Sequence, residues 1–93
     1  MKDLRKISGY YGLEHQKRKA IEELGELIVA IARDDEENII EEIADVMVMM
    51  MQLEILLDCD EEVCQIIEAK VNRQIQRIRD DDIFWKAVDC SWR

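Results

Sequence analysis

The chain has 93 residues, 48% apolar but only 5% aromatic, with no proline and three glycines; 13 Lys+Arg stand against 22 Asp+Glu, a formal net charge of −9. That size allows one small domain with a limited core, which leans on a partner subunit. The negative charge argues against broad binding to nucleic acid or an anionic membrane, since both require a positive surface.

Cys59, Cys64 and Cys90 are odd in number and form no C-x-x-C pair, the usage of reduced thiols in a cytoplasmic protein. Met1-Lys2-Asp3 leads directly into charged sequence, so no signal peptide is expected. The longest apolar run, Val46 to Met51, is far too short to span a bilayer.

Residues 1 to 9 are mixed and predict a short helix or an extended arm, with a break at Ser8-Gly9. From about Tyr10 to Arg33 a helical pattern runs through Leu13, Ile21, Leu24, Leu27, Ile28 and Ile31. Lys17, Arg18 and Lys19 form a basic patch on it, with Lys19 placed to pair with Glu23 one turn on. His15 is the sole histidine and reads as a surface or capping residue rather than a catalytic one.

Asp34 with Glu37 predicts a capping box for a second helix running to about Leu57. Its residues Ile43, Val46 to Met51, Leu53 and Ile55 to Leu57 are apolar around almost the whole circumference. Such a helix must be buried on several sides, which predicts at least a dimer. The methionine run reads as packing filler. Asp58 with Glu61 predicts another cap, for a third helix from about Asp60 to Arg79. Val63, Ile66, Ile67, Val71, Ile75 and Ile78 form its expected buried stripe, and Lys70, Arg73 and Arg77 a basic stripe on a different face. Asp80-Asp81-Asp82 is expected to end it, and Ile83 to Val88 to form a short fourth helix. The fold class is therefore all-α: an antiparallel bundle of three to four helices per chain, completed by oligomerisation.

Two acidic repeats dominate this frame, Glu22-Glu23-Leu24-Gly25-Glu26 and Glu41-Glu42-Ile43-Ala44-Asp45. Each places carboxylates three and four residues apart on one helix face, amid apolar residues. Carboxylates in an apolar stripe are costly unless a cation meets them. If the chain folds back at Asp34-Asp35-Glu36, residues whose numbers sum to about 68 lie level across an antiparallel pair. Glu23 then faces Asp45 and Glu26 faces Glu42, so four carboxylates gather in one place. Hard oxygen ligands of this kind suit Mg²⁺, with Mn²⁺ as a substitute. A similar mirror at Cys59 would put Arg73 level with Asp45. Clustered carboxylates, divalent ions and neighbouring cations together make a site for a polyphosphate. No P-loop, nucleophile set or dinucleotide fingerprint is present.

Glu23-x-x-Glu26, fifteen residues, then Glu42-x-x-Asp45 resembles the signature of the all-α nucleoside triphosphate pyrophosphohydrolases, in their MazG-like branch. Lys70-Val71-Asn72-Arg73 with Arg77 resembles that branch's basic third-helix segment. The resemblance covers roughly residues 10 to 80 of a single domain spanning the chain, with 81 to 93 as a tail. It implies that Glu23, Glu26, Glu42 and Asp45 bind Mg²⁺ and carry catalysis, with Glu22 and Glu41 in supporting or exchanged roles. It also implies that Lys70, Asn72, Arg73, Arg77 and Lys19 contact substrate. The implied reaction cleaves a nucleoside triphosphate between the α and β phosphates, in a homodimer or homotetramer, as nucleotide-pool housekeeping. Base recognition is not legible: Tyr10, Tyr11, Trp85 and Trp92 are able to stack a base, but packing is the plainer reading of each.

Phosphoribosyl-ATP pyrophosphohydrolase of histidine biosynthesis resembles the same acidic motifs and is the competing enzyme. A di-iron carboxylate bundle would need Glu-x-x-His, which neither motif supplies. The remaining alternative is a non-catalytic helical interaction module with solvated acidic clusters.

Overall fold

In the computed structural model, which describes the backbone of residues 2–88 and the side chains of 3–82, the described residues form four helices and no strand. They are α1 (Lys2–Tyr11), α2 (Leu13–Ala32), α3 (Glu36–Leu57) and α4 (Asp60–Val88). None of them is long and apolar enough to cross a membrane. The all-α class follows directly. Residues up to Asp60 form one compact unit and those from Glu61 onward a second.

The amino-terminal segment is a full helix, and the expected break at Ser8-Gly9 is displaced to Gly12. Ser8 is buried within α1, where its hydroxyl donates to the Arg5 carbonyl at 3.1 Å and so needs no outside partner. Gly12 has φ 82° and ψ 168°, a conformation essentially reserved for glycine. It ends α1 and starts α2 at once: its amide donates to the Ser8 carbonyl and its own carbonyl accepts from Gln16. The helix expected from about Tyr10 to Arg33 is α2, starting at Leu13, while Tyr10 and Tyr11 end α1.

The α2–α3 turn closes with a Schellman pattern. Asp34 takes a left-handed φ of 54°, its amide donates to the Ile31 carbonyl at 3.0 Å, and the Asp35 amide donates to Ala30 at 3.3 Å. The cap of α3 is Asp35, not Asp34: its carboxylate accepts from the Asn38 amide at 3.4 Å. Asp34 is diverted because the left-handed corner must fall somewhere, and a short polar side chain tolerates it. The same logic corrects Asp58. It terminates α3 in the left-handed region, φ 50°, with its amide on Ile55 and the Cys59 amide on Glu54, rather than starting α4.

α2 and α3 lie antiparallel, and α1 packs on both. Gln16 Nε2 donates to Gln52 Oε1 at 2.6 Å, and both residues are 3% exposed. Their numbers sum to 68, the register expected from the turn. The small side chains Ala20 and Ala30 are buried on α2, Met49 on α3 and Leu4 on α1.

α4 departs from expectation twice. It runs unbroken through Asp80-Asp81-Asp82 to Val88, so no separate fourth segment begins at Ile83. Acidic residues lower helix propensity only by tenths of a kcal/mol each, too little to stop a helix without glycine or proline. Its predicted apolar stripe is also not buried in the single chain: Ile66, Ile67, Val71, Ile75 and Ile78 are all exposed. The side chain of Trp85, and Cys90 and Trp92 with their expected roles, lie outside the described residues.

Candidate metal and phosphate site

The register that pairs Gln16 with Gln52 carries two turns further to the acidic repeats. Glu23, Glu26 and Glu42 each bring a carboxylate oxygen to within 4.8 Å of the others, a spacing able to hold one metal ion. Glu23 and Glu42 are half-buried, the Glu23 side chain being 13% exposed, and Glu26 is exposed. Glu23 Oε2 and Glu42 Oε2 are buried and have no hydrogen-bond partner. Buried oxygens of this type are nearly always satisfied, so two in one place mark a missing donor or cation. Asp45 stands one helical turn from Glu42, exposed, and its charge acts on both Glu23 and Glu42.

The electrostatics agree. Glu23 is raised above the ordinary carboxylate value, first by burial, then by the charge of Glu26, hydrogen bonding with it, and the charge of Asp45; Lys19 opposes this. Glu42 is likewise raised by burial, then by Asp45 and Glu23, while hydrogen bonding with Glu26 works the other way. Lys19 Nζ lies 3.6 Å from Glu22 and 3.6 Å from Glu23, and its own pKa is raised, chiefly by Glu22. One half-buried lysine thus answers several carboxylates. A divalent oxygen-seeking cation fits the remaining demand of this donor set.

Beyond the cluster, toward the α2–α3 turn, Glu22, Gly25, Glu26, Val29, Asn38 and Glu42 line an open cleft of about 340 Å³. Gly25 leaves its floor open, since a Cβ there would meet nothing within 4 Å. Glu41 faces outward with Asp35, Glu37 and Asn38. On α4, Lys70, Arg73 and Arg77 share a shallow groove with Gln74. Asn72 is exposed and does not line that groove.

Sequence reasoning passed over the polar network at the other end of α2. His15 Nδ1 lies 2.7 Å from Gln16 Oε1, and the His15 ring stacks on Tyr11 with centroids 4.6 Å apart. The signal was available: the register that pairs the acidic repeats also pairs Gln16 with Gln52.

The described helices are all α, and α2 and α3 bring three carboxylates together, a set able to hold a divalent cation. A family model, described as the MazG nucleotide pyrophosphohydrolase domain, matches residues 12–78, over two-thirds of the chain. The chain belongs to that family. No curated protein and no solved structure matches it significantly.

Proposed function

We propose that the protein is a Mg²⁺-dependent nucleoside triphosphate pyrophosphohydrolase that converts (d)NTP to (d)NMP and pyrophosphate. The observation that carries this reading is the pair of buried, unpartnered oxygens on Glu23 and Glu42 inside a three-carboxylate cluster of a MazG-family chain. Glu23, Glu26, Glu42 and Asp45 hold the metal. Once bound, Mg²⁺, or Mn²⁺ in its place, neutralises phosphate charge and polarises the phosphoryl oxygens.

The chain's own residues do the rest. A carboxylate of the cluster orients the attacking water and accepts its proton. Lys19 neutralises charge at the edge of the cluster, and Lys70, Asn72, Arg73 and Arg77 supply phosphate contacts from α4. The enzyme acts in the cytoplasm as a homodimer or homotetramer.

The test is pyrophosphate release with Mg²⁺ from a panel of NTPs, dNTPs and phosphoribosyl-ATP. Release from the common nucleotides supports the proposal. Turnover of phosphoribosyl-ATP alone would move the protein to that pathway step, and no release from any member would leave a binding module.

A further inference from the structure

We propose that the stacked rings of Tyr11 and His15 form the nucleobase platform of this site, an inference that rests on the nucleotide reading above. The two rings are nearly parallel, 16° apart with centroids at 4.6 Å, and Tyr10 meets Tyr11 edge-on at 4.9 Å. Tyr10 is 83% and Tyr11 48% exposed. These rings are not core residues, and packing does not explain their grouping.

The platform is rigid because His15 is tied to the buried glutamine pair. Gln16 Nε2 is committed to Gln52 Oε1, so Gln16 Oε1 is left as an acceptor, and His15 Nδ1 must donate to it. Both glutamines are buried, so the imidazole plane is locked from below by the α2–α3 interface. A surface ring held this way loses little freedom when a ligand stacks on it. The Gly12 corner fixes the Tyr11 end of α1 against the first turn of α2.

Position gives the ligand. His15, Lys19, Glu22 and Glu26 recur at steps of four, three and four residues, so they run along one flank of α2. His15 to Glu23 is eight residues, about 12 Å along the axis, with Lys19 midway. A triphosphate anchored at the carboxylates by its metal can lay its nucleoside over Lys19 onto the rings. Among the described residues, the opposite direction offers no such surface. The cleft toward the α2–α3 turn is lined by three glutamates, Asn38, Val29 and Gly25, with no ring among them. Stacking engages the π-face that every base has, so the platform accepts purines and pyrimidines alike.

His15 is the sole histidine, so its ring-proton NMR signals are unambiguous. The full-length protein with Mg²⁺ is titrated with α,β-methylene-ATP, α,β-methylene-UTP and inorganic tripolyphosphate, with binding followed in parallel by calorimetry. Both nucleotides should shift the His15 signals upfield, and saturating tripolyphosphate should not. Tyr11→Ala should weaken nucleotide binding by roughly tenfold to a hundredfold, the range of one base–aromatic stack. It should leave tripolyphosphate binding unchanged, and Tyr11→Phe should restore the nucleotide affinity. Nucleotides that bind without moving His15, or a Tyr11→Ala loss equal for both ligand types, overturn the platform while the phosphohydrolase reading stands. Failure of all three ligands to bind overturns both.

Discussion

Each carboxylate of the α2–α3 cluster has its own environment, and the differences decide what a substitution does. Glu23 and Glu42 carry the buried, unpartnered oxygens, whereas Glu26 and Asp45 are exposed. Glu42→Gln and Asp45→Asn keep the shape and remove charge, so the fold survives. Loss of metal-held transition-state stabilisation should lower kcat on the order of a thousandfold, at about 1.4 kcal/mol per factor of ten. Steady-state pyrophosphate release measures this, and near-wild-type turnover would remove the cluster from the reaction. Arg73→Ala should raise KM more than it lowers kcat if Arg73 only holds phosphate in both ground and transition states.

The same residues set a pH dependence. Glu23 and Glu42 titrate above their ordinary value of 4.5 in the folded chain, so the folded state holds their protons more tightly than the unfolded state. Their contribution to stability is therefore fully present below pH 4.5 and is lost as pH rises through the raised folded values. Relative to a Glu23→Gln/Glu42→Gln double variant, metal-free wild type should lose melting temperature across that window toward neutrality. Millimolar Mg²⁺ at neutral pH should restore it: a ligand at 100 times its Kd adds about 2.7 kcal/mol. At about 4–8 °C per kcal/mol, the rise is about 10 °C or more. Parallel melting curves for wild type and variant, indifferent to Mg²⁺, would show that the repulsion is not felt.

At the scale of helices, two left-handed aspartates hold the corners. Asp58 closes α3 at φ 50° with both Schellman hydrogen bonds made. A side chain there is strained and glycine is not, so Asp58→Gly should stabilise by about 1 kcal/mol, read as a rise in melting temperature. Gln16→Ala should do the opposite. It leaves the buried Gln52 carbonyl without its donor, which costs about 1–3 kcal/mol, whereas Gln16→Leu with Gln52→Leu removes both polar partners and should cost less. These corners also explain what the sequence could and could not convey. The mirror about the Asp34–Glu36 turn gave the level of Glu26 with Glu42 because helical rise is constant and the turn is short. The choice between Asp34 and Asp35 as cap was not legible, because two adjacent aspartates offer equivalent side chains. Only the positive φ of Asp34 separates them. Ser8-Gly9 resembles a break by composition, yet Ser8 bonds to its own helix and the strained corner needs Gly12. The Asp80–Asp82 run misled for the reverse reason: polarity is not a helix stop.

For the whole molecule, the informative feature is how little apolar surface the single chain covers. Among the described residues, Leu4, Ala20, Ala30 and Met49 are the buried apolar ones, while Met47 is 58% exposed, Ile66 53% and Ile67 54%. Full burial of one such side chain is worth about 1.5–3 kcal/mol, so a chain that leaves many of them wet forgoes most of its available core. We expect these faces to be covered by a second copy. Ile67→Glu with Val71→Glu discriminates between a covered and a free stripe. On a free surface each change falls within about 0.5 kcal/mol, and the variant melts like wild type. In a covered interface each places an unpaired charge among apolar side chains, and the variant dissociates or unfolds. Sedimentation of wild type at micromolar concentration should give a dimer or larger species, and the double variant a smaller, less stable one. A wild-type monomer whose melting temperature is unmoved by the two glutamates would show that the chain is stable with its helices uncovered.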